Sequence, residues 1–255
     1  MKKATLLLGF VFALSSYADI GNLSYFTGEN TMSFNATADY ESTETNILNQ
    51  ENSGFNFNLG MNYGIMTNHA IGASIGYGMI DTDSTSAGSS TVPDRNGIYD
   101  VNVTWAHRFV NSPNHNWDAI VNFSPKTGEA AVDNNFRGNH NAGMTLAYST
   151  RMMDNLEGMF SFNGGYFFDD SISNDWSFKT TAGARFHANH MFFVGANGSM
   201  INAFTGTADP TFNVGGNAGY KISPKSNIVA NAIWVDQQAF DSDGWNFGLN
   251  YNMEL

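Results

Sequence analysis

Apolar and small polar residues alternate through most of this chain, and the alternation reaches its last position. The cleanest stretch sets Phe55, Phe57, Leu59, Met61, Tyr63 and Ile65 against Asn56, Asn58, Gly60, Asn62 and Gly64. The same pattern returns as Trp176, Phe178, Thr180, Ala182, Ala184 and Phe186, opposite Ser177, Lys179, Thr181, Gly183 and Arg185. It closes the chain as Trp245, Phe247, Leu249, Tyr251, Met253 and Leu255, opposite Asn246, Gly248, Asn250, Asn252 and Glu254. In a β-strand successive side chains point to opposite faces, so each segment has one greasy face and one face of amides and glycines. Mean hydropathy is −0.26, which suits a water-soluble protein. Yet aromatics make up 14% of the residues and charged residues only 13%, about half the usual globular share. The greasy faces therefore need surroundings other than water.

Segments of this kind fall at 31–40, 54–65, 70–80, 97–110, 117–124, 138–150, 156–168, 176–188, 191–202, 210–222, 227–236 and 244–255, which makes twelve. In 191–202 and 227–236 the two faces differ least. Most segments reach the roughly 9–11 residues that a tilted strand needs to cross the hydrocarbon of a membrane. The links between them alternate in length. Short ones at 66–69, 111–116, 151–155, 189–190 and 223–226 separate longer ones at 41–53, 81–96, 125–137, 169–175, 203–209 and 237–243. An even strand number with short turns on one side and long loops on the other is the arrangement of a transmembrane β-barrel. A soluble sandwich has no reason to sort its loops in this way. Closure also satisfies every backbone donor and acceptor within lipid. Aromatics gather near segment ends, among them Tyr99, Phe109, Trp117, Phe123, Tyr166, Phe168, Trp176, Phe186, Phe212, Tyr220, Trp234 and Trp245, as two interfacial girdles would require. The predicted fold is all-β: a closed antiparallel transmembrane barrel of about twelve strands over 31–255.

At the N-terminus, Lys2 and Lys3 precede an apolar run from Ala4 to Leu14 and then Ser15-Ser16-Tyr17-Ala18. That order predicts a secretory signal peptide over 1–18, cleaved before Asp19. The run is too short for a membrane-spanning helix, which takes roughly 20 residues. Loss of Lys2 and Lys3 would change the formal net charge from −12 to −14. Residues 19–30 are expected to form a periplasmic N-terminal segment or a plug of the bore. The chain has no cysteine, which excludes a disulfide scaffold and a thiolate metal site.

The signal segment, the alternating strands and the terminal strand together resemble bacterial outer-membrane β-barrel proteins of the small porin type. The resemblance covers 31–255 and concerns the broad class. Members of that class usually end in an aromatic residue, most often Phe, whereas Leu255 holds that place here. It implies residence in the bacterial outer membrane, contact with outer-membrane lipids and lipopolysaccharide, and passage of small hydrophilic solutes.

The alternation directs Asp39, Asp100, Asp118, Glu157 and Glu254 into the lumen against Arg108, Lys179, Arg185 and Lys221, so lumen charges nearly cancel. Asn, Ser, Thr and Gly make up most of the rest, which predicts a water-filled, weakly selective passage, open but narrow, between the filled eight-stranded and open sixteen-stranded cases. Acids collect in the long links, including Glu41, Glu44, Glu51, Asp81, Asp83, Asp94 and Asp243. A negative mouth concentrates cations, so mild cation preference is expected. The loop 125–137 could fold inward as a constriction lined by Lys126, Glu129, Asp133 and Arg137. Asp81 and Asp83 alternate oxygen ligands as a calcium loop does, without the glycine and distal Glu of an EF-hand, so a loop-bound divalent cation is the one cofactor considered and no other is expected.

Two other functions compete with the channel. One is a structural or adhesive barrel with a filled lumen and working outer loops. The other is a lipid-active enzyme, but none of His69, His107, His115, His140, His187 and His190 has Ser two positions on, and no Asp-His dipeptide occurs. No enzymatic activity is therefore expected. Nothing in the chain points to nucleic acid.

Overall fold

The alternating segments form β-strands that close on themselves in the computed structural model, which describes residues 29–45, 50–84, 95–99, 101–125, 127, 140–168, 176–203, 210–237 and 242–255. The strands are β1 (Met32–Thr45), β2 (Gln50–Met66), β3 (His69–Ser84), β4 (Arg95–Ile98), β5 (Asn102–Asn111), β6 (His115–Ser124), β7 (Asn141–Met153), β8 (Leu156–Phe167), β9 (Trp176–His187), β10 (Phe192–Ala203), β11 (Thr211–Ser223), β12 (Ser226–Gln237) and β13 (Ser242–Glu254). Neighbours in sequence pair antiparallel, except that β4 and β5 each pair with β3. The ring shuts where β1 meets β13, with Ser33 opposite Glu254 and Thr45 opposite Ser242.

Both β4 and β5 pair with β3: β4 through Tyr77–Ile80, β5 through His69–Ser74. They are successive parts of one stave, so the thirteen strands among the described residues make a twelve-staved wall. The uninterrupted strand expected at 97–110 is thus broken at 99–101. Between the pairs Tyr77↔Ile98 and Ser74↔Asn102, β3 advances by three residues and the broken stave by four. A one-residue offset exchanges the two faces of a strand. Ile98 points outward in β4, as do Val103 and Trp105 in β5.

The exterior is apolar. Leu59 is 62% exposed, Phe55 49% and Trp176 54%, while inward-facing Val229 is 0% exposed. Large apolar side chains lying outside on strand after strand are the inverse of a water-soluble protein and fit a hydrocarbon solvent. Rings in contact girdle both ends of this surface. Tyr40–Phe55 and Tyr166–Trp176, each with centroids 4.9 Å apart, stand towards one end, and Phe109–Trp117 at 6.1 Å and Trp117–Tyr148 at 4.7 Å towards the other.

The short links are tight turns tied by side chains that cap their backbone. Asn189 Oδ1 accepts from the N–H groups of Met191 and Phe192 at 2.8 Å each. Ser112 Oγ accepts from Asn114 and His115 at 3.3 Å each. Such local acceptors favour turns over continued strand. Register shifts at Gly64/Met66, Arg108/Val110, Arg151/Met153 and Lys221/Ser223 all adjoin these turns. Residues 1–18, and 19–28 of the segment that follows, lie outside the described residues.

Candidate functional site

The polar row of most strands faces the interior, and several of its asparagines stand opposite glycines. Asn35 is in register with Gly60, Asn62 with Gly72, Asn122 with Gly143, Asn197 with Gly183, Asn217 with Gly195 and Asn231 with Gly248. The amide leans over the bare backbone beside it. A Cβ built at Gly143 would come within 2.7 Å of Asn122 Oδ1. Folding the amides against the wall keeps them out of the bore while leaving it polar.

Many of these groups bond one another along the wall. Thr37 Oγ1 donates to Asn250 Oδ1 at 2.7 Å, Asn252 Nδ2 to Asn227 Oδ1 at 3.0 Å and Asn163 Nδ2 to Thr145 Oγ1 at 2.6 Å. Cross-strand pairs of this kind fix the side chains as a lining.

The inner charges sit mainly beside the short turns. Arg108 and Asp118 form a two-pronged ion pair, with Asp118 2% exposed. Glu157 Oε2 lies 3.9 Å from Arg185 Nη1 and 3.2 Å from His187 Nε2, and the Arg185 guanidinium lies 4.4 Å from the centre of the Phe193 ring. Glu254 pairs with Ser33 where the barrel shuts, and Lys221 is exposed at the end of β11. Asp39 and Lys179 stand farther towards the long-loop end; Asp39 lies opposite Asn56 and Gly248, and Lys179 is 4% exposed opposite Asn163. Asp100 lies outside the described residues, as do Lys126, Glu129, Asp133 and Arg137 of the expected constriction.

Glu41 differs from expectation. It continues the polar row of Asn35, Thr37 and Asp39 within β1, and is buried inside the barrel where Asn246 hydrogen-bonds its carboxyl. Glu44, Glu51, Asp81, Asp83 and Asp243 likewise lie on strands, which run farther out than the hydrophobic pattern does. Of these, Glu44, Glu51, Asp81 and Asp243 are exposed around the rim. Asp81 stands opposite Ser53 and Asp83 opposite Glu51. Among the described residues no cluster of three or more His, Asp or Glu is placed to hold a metal ion.

Sequence reasoning also missed the apolar inner residues Ile80, Ile120, Phe193, Ile201, Val229, Ile233 and Val235. Several rest on a neighbouring glycine, as Ile80 does on Gly54, Ile233 on Gly215 and Phe193 on Gly219. Tyr99, expected in a girdle, is displaced to the inner face by the one-residue offset and hydrogen-bonds Asn56.

A closed ring of antiparallel staves, greasy outside and amide-lined inside, is stable only across a lipid bilayer. The chain has the fold of a transmembrane β-barrel. Solved structures agree. The COG4313 outer membrane channel from Pseudomonas putida F1 is similar to this barrel over 90% of this chain and 97% of its own, with 13% identity and a TM-score of 0.72. The CymD monoaromatic hydrocarbon channel is similar over 95% of this chain and 93% of its own, with 10% identity and a TM-score of 0.57. The KdgM porin is similar over 84% and 98%, with 9% identity and a TM-score of 0.52. Identities this low establish the shared fold of the barrel. No family model matches the chain and no curated protein matches it in sequence.

Proposed function

We propose that this barrel is a passive channel for small hydrophilic solutes and ions, weakly cation-preferring, and that it performs no catalysis. The observation that carries the reading is the pairing of inner asparagines with glycines in register. Such a wall is polar enough to hold water and short enough to leave it room. Neutral amides attract neither sign of ion strongly, and the paired charges beside the turns largely cancel one another. The preference for cations then comes from the rim, where Glu44, Glu51, Asp81 and Asp243 are exposed. Carboxylates around a mouth raise the local concentration of cations and repel anions. The similar solved structures described as channels and a porin favour the same reading.

Export would be directed by residues 1–18 as a cleaved signal, with 19–30 left on the periplasmic side. Outer-membrane lipids and lipopolysaccharide would contact the apolar rows. Asp39, Asp118, Glu157, Glu254, Arg108, Lys179, Arg185 and Lys221 would line or flank the path.

The test is ionic current. Purified protein added to a planar bilayer gives stepwise conductance, and a salt gradient gives a reversal potential of the sign expected for cations. A silent bilayer, from protein that is folded and inserted, would overturn the channel.

A further inference from the structure

The extra residue in the broken stave turns Tyr99 inward beside two glycines. Its N–H donates to Gly76 O at 2.9 Å. The side chain then runs along β3 from Gly76 to Gly78: a Cβ at Gly76 would come 2.7 Å from ring Cδ2, and one at Gly78 would strike the hydroxyl. That hydroxyl donates to Asn56 Oδ1. Gly78 and Gly76 stand opposite Asn56 and Asn58 in register, so both asparagines lie on the strand next to the one the ring covers.

Those amides are incompletely satisfied. Asn56 Nδ2, a donor, and Asn58 Oδ1, an acceptor, are shielded from bulk water and have no partner among the described residues. Buried polar atoms are nearly always paired, so such a donor and acceptor two residues apart call for an explanation. A hydroxyl group both donates and accepts, whereas an ammonium only donates and a carboxylate only accepts. Two neighbouring hydroxyls meet both atoms. An ammonium leaves Asn56 Nδ2 unmet, and a carboxylate leaves Asn58 Oδ1 unmet. The C–H face of a sugar ring, in turn, packs on an aromatic side chain.

We propose that Tyr99, Asn56 and Asn58 form a subsite in the channel wall for a neutral polyhydroxylated solute of the sugar class. The solute seats as the Tyr99 ring tips off the glycines; one solute hydroxyl donates to Asn56 Oδ1 in place of the tyrosine hydroxyl, and its neighbour accepts from Asn56 Nδ2. Asn58 accepts from the next hydroxyl. This assignment deepens the channel reading and rests on it.

The experiment records single-channel current in potassium chloride before and after adding maltose, with butylammonium and citrate as charged controls. Maltose is expected to interrupt the current in a concentration-dependent manner. In Tyr99→Ala the block weakens about tenfold, the scale of one lost aromatic contact, while potassium chloride conductance persists. Tyr99→Phe keeps the ring and blocks nearly as wild type does. Unchanged heat-modifiable mobility in gels shows that each variant is folded. A conducting wild type that maltose does not interrupt would overturn the subsite and leave the channel standing. Equal block in Tyr99→Ala, or equal block by either charged control, would do the same. A wild type that carries no current would remove the channel reading and this one with it.

Discussion

Arg108 on β5 and Asp118 on β6 stand directly opposite, Nε to Oδ1 at 2.8 Å and Nη2 to Oδ2 at 3.1 Å. Planar two-pronged contacts are the strongest geometry available to this pair. Its side chains are 18% and 3% exposed, so it has lost much of its hydration. Removing one partner strands the other. Asp118→Ala is expected to lower stability by about 3 kcal/mol, read from urea unfolding in lipid vesicles. The exchanged pair, Arg108→Asp with Asp118→Arg, should recover part of the loss, because the two positions stand opposite each other in register.

The lipid-facing rows tolerate no charge at mid-depth. Leu59 is 62% exposed at the middle of β2, and its neighbour Asn58 faces inside. Leu59→Arg should destabilise the barrel by roughly 2–4 kcal/mol. Asn58→Arg should cost much less. Unfolding midpoints of the two variants in the same vesicles compare the two faces of one strand, and equal losses would contradict the assignment of the faces.

Gly143 gives Asn122 a place to lie. Its nearest obstacles to an added Cβ are all atoms of that flexible side chain. Gly143→Val should therefore rotate Asn122 towards the bore, lowering single-channel conductance while changing stability by about 1 kcal/mol or less. A conductance equal to wild type would show that the amides do not bound the path.

The rim acids act at a distance. Neutralising Glu44, Glu51, Asp81 and Asp243 together, as Glu→Gln and Asp→Asn, should shift the reversal potential towards zero. The difference from wild type should be clear at 0.1 M salt, where screening extends over about 10 Å, and should fade near 1 M, where it extends over about 3 Å. A shift that persists undiminished in high salt would place the selecting charges inside the barrel instead.

The staves and their faces were legible because period-two alternation is the direct product of strand geometry, as in Phe55–Gly64. The turns were legible for the same kind of reason: Asn189 and Ser112 are residues that cap backbone locally. Two features escaped. In β12, Ile228 and Trp234 face lipid while Val229, Ile233 and Val235 face inward, so no contrast marks the faces. An inner apolar residue is admissible wherever the adjacent stave offers a glycine, and that partner is known only from register. The offset at 99–101 left no trace either, since Tyr99 fits an interfacial girdle as readily as it fits the interior. Glu41 lay in reach of sequence reasoning: it keeps the parity of Asp39 and Thr37, and only the assumed strand end set it aside.

The seam where β1 meets β13 makes the wall an all-or-none object. The first strand waits for the last one, and a chain cut short before Ser242 would leave both β1 and β12 with a full row of amide groups bare to hydrocarbon. Partial chains thus carry two open edges into the bilayer, and only the complete wall is free of them.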